Sequence, residues 1–386
     1  MRKPPIITNP LFAWVTRLRV QASFIKNSYL AYRSVTTARR VLMEIKHSLQ
    51  KVWGKPKLEK FIEVDGRYYW NYTAPHWPSA IQKAYLWGEL NRIVPFQKEK
   101  SGLRVLYFAM TSACPLNCEH CLEWDRLNSS NQQDVGDMIE QVQKFQQLGL
   151  AQVQLTGGEP LVRFDMLERL IAAISDKSDV WVLTSGYSVT REKINKLKAA
   201  GLTGISFSID HFVADKHDRF RGKKGVYAEA LNGAEMAYDA GLLVCFSICT
   251  TRDFISKENL LSYAKLAKES GASFINILEP KATGRYRNQD VKITRAQEQV
   301  LEEFYFDMNF DKKYKEYPIV AYPDFQFRKL GCMGGGKRIL YINSNGEVNA
   351  CPFCQNNKTN IKADSIENIL KELRKTECQN FAQTVV

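Results

Sequence analysis

The chain predicts an α/β fold on a mainly parallel sheet, and three observations carry that prediction. Six short β-branched or apolar runs, "RVLYFAMT", "AQVQLT", "DVWVLT", "LTGISFSID", "LLVCFSICT" and "ASFINILEP", recur between about Arg104 and Asn309. Amphipathic stretches fill the gaps, several closing on a glycine (Gly149, Gly201, Gly241, Gly271), as a helix C-terminus favours. The length of 386 residues, with 45% hydrophobic and 25% charged side chains, suits one large globular domain plus smaller modules. Strands alternating with helices imply parallel crossovers, in a sheet either open and doubly wound or curled into a partial barrel. Reacting groups then gather at the carboxyl ends of the strands.

Ahead of this alternation, apolar residues from Leu11 through Val15, Leu18, Ala22, Ile25, Tyr29 and on to Val52 recur at intervals of three and four. That spacing predicts a helix or helix pair, ended by Gly54 and Pro56. The formal charge of +13 is concentrated here: residues 1–60 carry thirteen Lys/Arg against Glu44 and Glu59. The remaining body is nearly neutral, so nucleic-acid binding is not expected. "FIEVDGRYYWNY" reads as a hairpin turning at Asp65-Gly66, and "PSAIQKAYLWGELNRI" as a helix.

No run of eighteen apolar residues occurs, and Arg17 and Arg19 interrupt any apolar signal core. A reducing cytoplasm is therefore the expected location, where clustered cysteines signify metal more than disulfides. "ACPLNCEHC" sets Cys114, Cys118 and Cys121 directly after the first strand. Three thiolates on one loop suit three irons of a [4Fe–4S] cluster, leaving the fourth iron open to an exogenous ligand. A closed zinc site would need a fourth ligand and CxxC pairs. Buried core thiols fit poorly beside Pro115, Asn117 and Glu119.

"CPLNCEHC" resembles the CxxxCxΦC motif of the radical S-adenosylmethionine (radical SAM) superfamily, with His120 at the Φ place, and "LTGGEPLVR" resembles that family's GGEP motif. The resemblance implies a partial (β/α)6 TIM-like barrel, with Cys114, Cys118 and Cys121 on the cluster. It places Gly157, Gly158, Glu159 and Pro160 at the methionyl amine of S-adenosylmethionine. "VLTSGY" is similar to the family's third-strand element and nominates Thr184 and Ser185. "SFSIDHFVADKHDRFRG" nominates Ser208 and Asp210 near the ribose and Arg221 near the carboxylate. The implied chemistry is reductive cleavage to a 5′-deoxyadenosyl radical, which abstracts hydrogen from substrate, with a flavodoxin or ferredoxin as electron donor.

The series Cys332, Gly346, Cys351 resembles the opening of the family's SPASM and twitch domains. Asn360 stands where a full SPASM domain has its next cysteine, so the resemblance implies a shortened domain. One auxiliary [4Fe–4S] cluster on Cys332, Cys351, Cys354 and Cys378 is expected, with structural zinc as the alternative. Cys245, Ser247 and Cys249 alternate along the fifth strand and read as core, while Asn276 and Glu279 are candidates to face substrate.

Four regions result: a basic helical extension (1–54), a hairpin-plus-helix unit (55–100), the barrel (101–310) and the auxiliary domain (311–386). The extension is expected to lie on an anionic membrane surface through Phe12, Trp14, Phe24, Tyr29 and Trp53, making the enzyme peripheral to the membrane and a lipid or membrane-associated metabolite its substrate. Alternatively, residues 57–97 dock a leader peptide and the enzyme is a maturase of a ribosomally made peptide. A non-catalytic iron–sulfur redox or scaffold protein would have no use for the GGEP and ribose-side residues.

Overall fold

The computed structural model describes residues 2–54, 60–97, 103–130, 133–355, 359–362, 364–375, 378 and 381. Two helices lead, α1 (Pro10–Tyr32) and α2 (Val35–Trp53). Asn9 caps α1 by accepting from the Leu11 and Phe12 amides, and Arg33 at φ 52° breaks the chain before Ser34 caps α2. Gly54 ends α2 as the sequence predicts, whereas Pro56 lies outside the described residues. The hairpin β1 (Ile62–Val64) and β2 (Arg67–Tyr69) turns at Asp65-Gly66, both at positive φ, and helix α3 (Ala80–Ile93) follows.

The six predicted strands are β3 (Val105–Ala109), β4 (Gln152–Thr156), β5 (Asp179–Thr184), β6 (Gly204–Ser208), β7 (Leu243–Cys249) and β8 (Phe274–Leu278). The helices between them are α4 (Val135–Gln147), α5 (Phe164–Ile174), α6 (Arg191–Ala199), α7 (Ala214–Arg221), α8 (Val226–Asp239) and α9 (Lys257–Glu269). The four cap glycines all take the left-handed φ expected of them, from 70° to 98°. After β8 come α10 (Arg295–Phe310), β9 (Ile319–Ala321), α11 (Pro323–Leu330), β10 (Ile339–Ile342), β11 (Val348–Asn349) and α12 (Ile366–Arg374).

All strands from β3 onward join one sheet in the order β11-β10-β3-β4-β5-β6-β7-β8-β9, parallel except for β11. The sheet thus runs through residue 310: β9 extends one edge of the barrel and β10 the other. Side chains pointing to the helices form the main core, including Phe108, Leu155, Val182, Phe207, Phe246 and Ile277.

The hairpin unit plugs the amino end of the barrel. Ile62, Tyr69 and Tyr72 pack with Trp181, Leu243, Cys245 and Phe274, the Tyr72 ring centroid 4.9 Å from Trp181. Each such buried aromatic contributes roughly 2–3 kcal/mol of transfer free energy, which fixes the plug in place. Cys245 is therefore core, as expected. Both hairpin edges are already paired: Ile7 donates to the Phe61 carbonyl and Glu63 to that of Pro5, while Tyr68 and Trp77 exchange backbone bonds. Among the described residues both hairpin edges are thus engaged within the chain, which leaves the faces of the hairpin and α3 for any docked segment.

The extension also corrects an expectation. Helix α1 packs inward through Ala13, Thr16, Val20 and Ser28, leaving Leu11, Val15, Leu18, Ile25 and Tyr29 exposed. Phe24 instead packs beside Trp70, and the Trp53 indole N–H donates to the Tyr305 hydroxyl, so neither is a free surface anchor.

Helix α3 is held by Glu89, whose carboxylate takes Arg104 on both oxygens at 2.8 Å and Arg338 at 2.7 Å, tying together the starts of β3 and β10. Burial alone would raise this carboxyl, but the two guanidiniums hold it well below the usual range. Glu89→Gln is expected to cost roughly 3 kcal/mol by leaving buried cations unpaired. Because the folded value is depressed, this stabilisation is complete above about pH 4.5 and fades as pH falls through the folded value. Urea midpoints measured from pH 7 to pH 3 should fall more steeply in the wild type than in Glu89→Gln.

Candidate functional site

The loop after β3 carries the first three cysteines and is fixed from several sides. The Thr111 and Ala113 carbonyls accept from the Gly158 and Glu159 amides at 2.7 and 2.8 Å. From α7, the Arg221 and Phe220 carbonyls accept from Asn117 and Glu119. Arg285 donates to the Asn117 carbonyl and side chain, both at 2.8 Å, and to the Cys118 carbonyl at 3.1 Å, with its guanidinium over Trp124. Sequence reading missed Arg285, since nothing in "GRYR" announces a contact more than 160 residues back along the chain.

Cys118 is buried and groups with Cys114, Cys121, Leu116 and Val226. Burial pushes the Cys114 thiol up to about 11 and Cys121 to about 12, because clustered thiolates in apolar surroundings repel and lack water. A cationic iron centre reverses that balance, so the donor set fits a cluster.

Glycines 157 and 158 are demanded by the fold itself. A Cβ on Gly157 would stand 2.4 Å from the Thr111 carbonyl oxygen, and one on Gly158 2.3 Å from that of Ala113. The Glu159 carboxylate is fully engaged within the protein: Thr184 and Ser185 hydroxyls donate at 2.6 Å each, the Ser185 amide at 2.8 Å and the Leu161 amide at 3.0 Å. Burial raises its pKa. What this stretch offers a ligand is its backbone, and its carboxylate locks the ends of β4 and β5 together.

Asp210 and Arg221 form a buried ion pair at 2.6 Å. The second Asp210 oxygen accepts the Cys249 amide at 3.0 Å, and an Arg221 nitrogen lies 3.7 Å from the Cys118 sulfur. The Asp210 amide donates to His217 Nδ1, and burial lowers His217 to about 4, so this imidazole is neutral. His120 stacks on Phe220 and is likewise lowered to about 4 by burial. Arg221 Nε, His120 Nδ1 and His217 Nε2 are buried here without a hydrogen-bond partner among the described residues. They suit a polar ligand such as S-adenosylmethionine.

A cavity of about 330 Å³ rises from the barrel lumen over this loop. His120, Gly157, Gly158, Glu159, Thr184, Ser185, Ser208 and Arg221 line it, together with all three loop cysteines, whereas Pro160 and Asp210 stand behind its wall. Ser247, Cys249, Asn276 and Glu279 also reach it. Burial keeps the Cys249 thiol protonated.

Cys332, Cys351, Cys354 and Cys378 line one small pocket of their own and also face the large cavity. Cys332 is within hydrogen-bond reach of Cys378, and Cys351 of Cys354. Helix α12, packed through Ile369, Leu370 and Leu373, returns the chain so that remote Cys378 joins the others. Asn360 does not join them; its amide donates to the Asn345 carbonyl and braces the β10–β11 turn. Among the described residues no three metal-ligating side chains converge on a single-ion site.

Two further features had no sequence signal. The Tyr341 hydroxyl donates to Glu123, joining β10 to the cysteine loop. In the cavity wall Lys281 sits 2.6 Å from Asp324 and 3.3 Å from Glu279, which also accepts from Arg328 and Tyr322. Burial would raise Glu279, but Lys281 and Arg328 hold it down as a carboxylate.

Residues 108–277 match the Radical SAM superfamily model. An AdoMet-dependent heme synthase of Methanosarcina barkeri is 33% identical over 210 residues, 52% of this chain and 58% of that protein. The mycofactocin maturase MftC of Mycolicibacterium smegmatis is 30% identical over 270 residues, 66% of this chain and 65% of its own. The fold is similar to that of Streptococcus suis SuiB bound to its precursor peptide SuiA, with TM-score 0.60 and 14% identity over 92% of this chain and 84% of that chain. A cysteine loop after the first barrel strand, a glycine-tight second strand end packed on it and the match across the barrel agree: the barrel is a radical SAM domain, of the superfamily whose enzymes use a [4Fe–4S] cluster and S-adenosylmethionine.

Proposed function

We propose that this radical SAM enzyme is a maturase that modifies a ribosomally made peptide, with one auxiliary [4Fe–4S] cluster on Cys332, Cys351, Cys354 and Cys378. The observation that carries it is the single cavity reached by both cysteine sets. Its wall mixes Gln154, Ser206, Ser247 and Asn276 with the charged group of Glu279, Lys281, Asp324 and Arg328 beyond them. Set in an otherwise largely apolar lining, these donors and acceptors are fixed points that can pair with the amides and charged side chains of a peptide. The similarity to the mycofactocin maturase MftC, and to a PqqA peptide cyclase of Granulibacter bethesdensis, supports the same reading. The peptide reading therefore replaces the lipid one.

When bound, the cluster and S-adenosylmethionine supply a hydrogen-abstracting carbon radical, with the electron drawn from a flavodoxin or ferredoxin. The chain's own part is to hold and exclude. Gly157 and Gly158 present backbone to the methionyl end, Arg221 its free Nε and nearby cation to the carboxylate, and Ser208 its hydroxyl from β6. Asn276, whose Oδ1 has no protein partner, faces the substrate side.

The test is anaerobic turnover with peptides encoded beside the gene, followed by mass spectrometry. Mass change in a peptide together with 5′-deoxyadenosine is expected; turnover of a porphyrin and of no peptide would overturn the proposal. Cys378→Ala should lower iron from about eight to about four per chain. It should leave uncoupled 5′-deoxyadenosine formation while cutting peptide product roughly 10- to 100-fold.

A further inference from the structure

We propose that the outer face of α1 is an interfacial surface that seats the enzyme on an anionic lipid membrane. On a helix of 3.6 residues per turn, Leu11, Trp14, Leu18, Ile25 and Tyr29 fall within one stripe roughly 100° wide. That stripe is exposed, at 68% for Leu11, 52% for Trp14, 44% for Leu18, 61% for Ile25 and 46% for Tyr29. The face that α1 turns to its own protein buries Ala13, Thr16, Val20 and Ser28, with Phe24 and Tyr32 half-buried beside them. A helix that only packed on its domain would bury its large apolar residues and expose its small and polar ones. Here five large apolar side chains are left outside that packing.

Charge decides between occupants. Arg17 flanks the stripe on one side and Arg19 and Lys26 on the other, and residues 10–53 carry eight Lys/Arg with Glu44 as the lone acid. A second copy of the chain would bring these cations against one another, which disfavours a homodimer through this face. Anionic headgroups complement the net positive charge of these helices, and the stripe supplies apolar area for the acyl boundary. Spanning is excluded for α1 by the same cations at mid-helix, and no helix among the described residues is long and apolar enough to cross a membrane. This inference stands independently of the peptide reading and uses no turnover assay.

The test is flotation of the anaerobically purified full chain with phosphatidylglycerol/phosphatidylcholine vesicles and with pure phosphatidylcholine vesicles. The partner variant is Leu18→Glu/Ile25→Glu, whose side chains are exposed in the fold. The bound fraction should be at least about tenfold higher on the anionic vesicles and fall about tenfold in the variant. Its melting temperature and iron absorbance should be unchanged, showing that the variant folds. Equal binding to neutral vesicles, undiminished binding by the folded variant, or no binding at all would overturn the proposal. So would light scattering that reveals a wild-type dimer, made monomeric by the variant, in place of vesicle binding.

Discussion

Replacing Cys118 by alanine is expected to reduce 5′-deoxyadenosine formation from S-adenosylmethionine to background. Cys118 is the most enclosed of the three loop thiols, 8% exposed, and the one approached by the Arg221 guanidinium. With one thiolate gone, two remain for a cube that needs three from the protein, and the site-differentiated cluster does not assemble. Iron should fall from about eight to about four atoms per chain, the remainder belonging to the auxiliary set. Cys245→Ala is the matched comparison, since that thiol lies in the apolar plug of the barrel and should leave the cleavage intact. Retained cleavage in Cys118→Ala would show that the loop thiols do not hold the reactive cluster.

The second large effect is expected from Arg221. In Arg221→Leu the Asp210 carboxylate loses its buried partner, and an uncompensated buried charge costs roughly 3–5 kcal/mol. For a chain of this size that corresponds to a fall of roughly 6–12 °C in Tm of the anaerobic protein. Removing both charges in Arg221→Leu/Asp210→Leu should recover much of that stability, because the stranded carboxylate is gone, yet restore no cleavage of S-adenosylmethionine. Recovery of cleavage along with stability would reduce the pair to a purely structural role. Burial pushes the Asp210 carboxyl up, but Arg221 overrides this and holds it below its ordinary value. The pair's contribution is therefore present above about pH 4 and lost as pH falls through the folded value.

The barrel was legible because its signals are local. A buried parallel strand announces itself by an unbroken β-branched run, as in "DVWVLT", and a helix end by its glycine, as at Gly201 at φ 98°. The cysteine loop and "GGEP" were legible for a similar reason: each is a contiguous stretch placed at the end of a strand. The reason for Gly157 and Gly158 was less so, since the clash that forbids a side chain comes from Thr111 and Ala113, more than forty residues earlier. Which way α1 turns its stripe was not legible either, because periodicity fixes a face without saying what covers it.

By itself, the order of residues determined the six βα units, the hairpin turn at Asp65-Gly66, the placing of three cysteines on the loop after the first barrel strand and the basic charge of the leading helices. Only the tertiary structure decided that Cys378 joins Cys332, that Glu159 spends its carboxylate on Thr184 and Ser185, that Arg285 clamps the cysteine loop, and that the hairpin closes the barrel. The division has one physical cause. Backbone preference and hydrophobic period act over a few neighbouring residues and can be read in sequence. Burial, ion pairing and convergence on a cavity depend on which distant segments the packed core brings together.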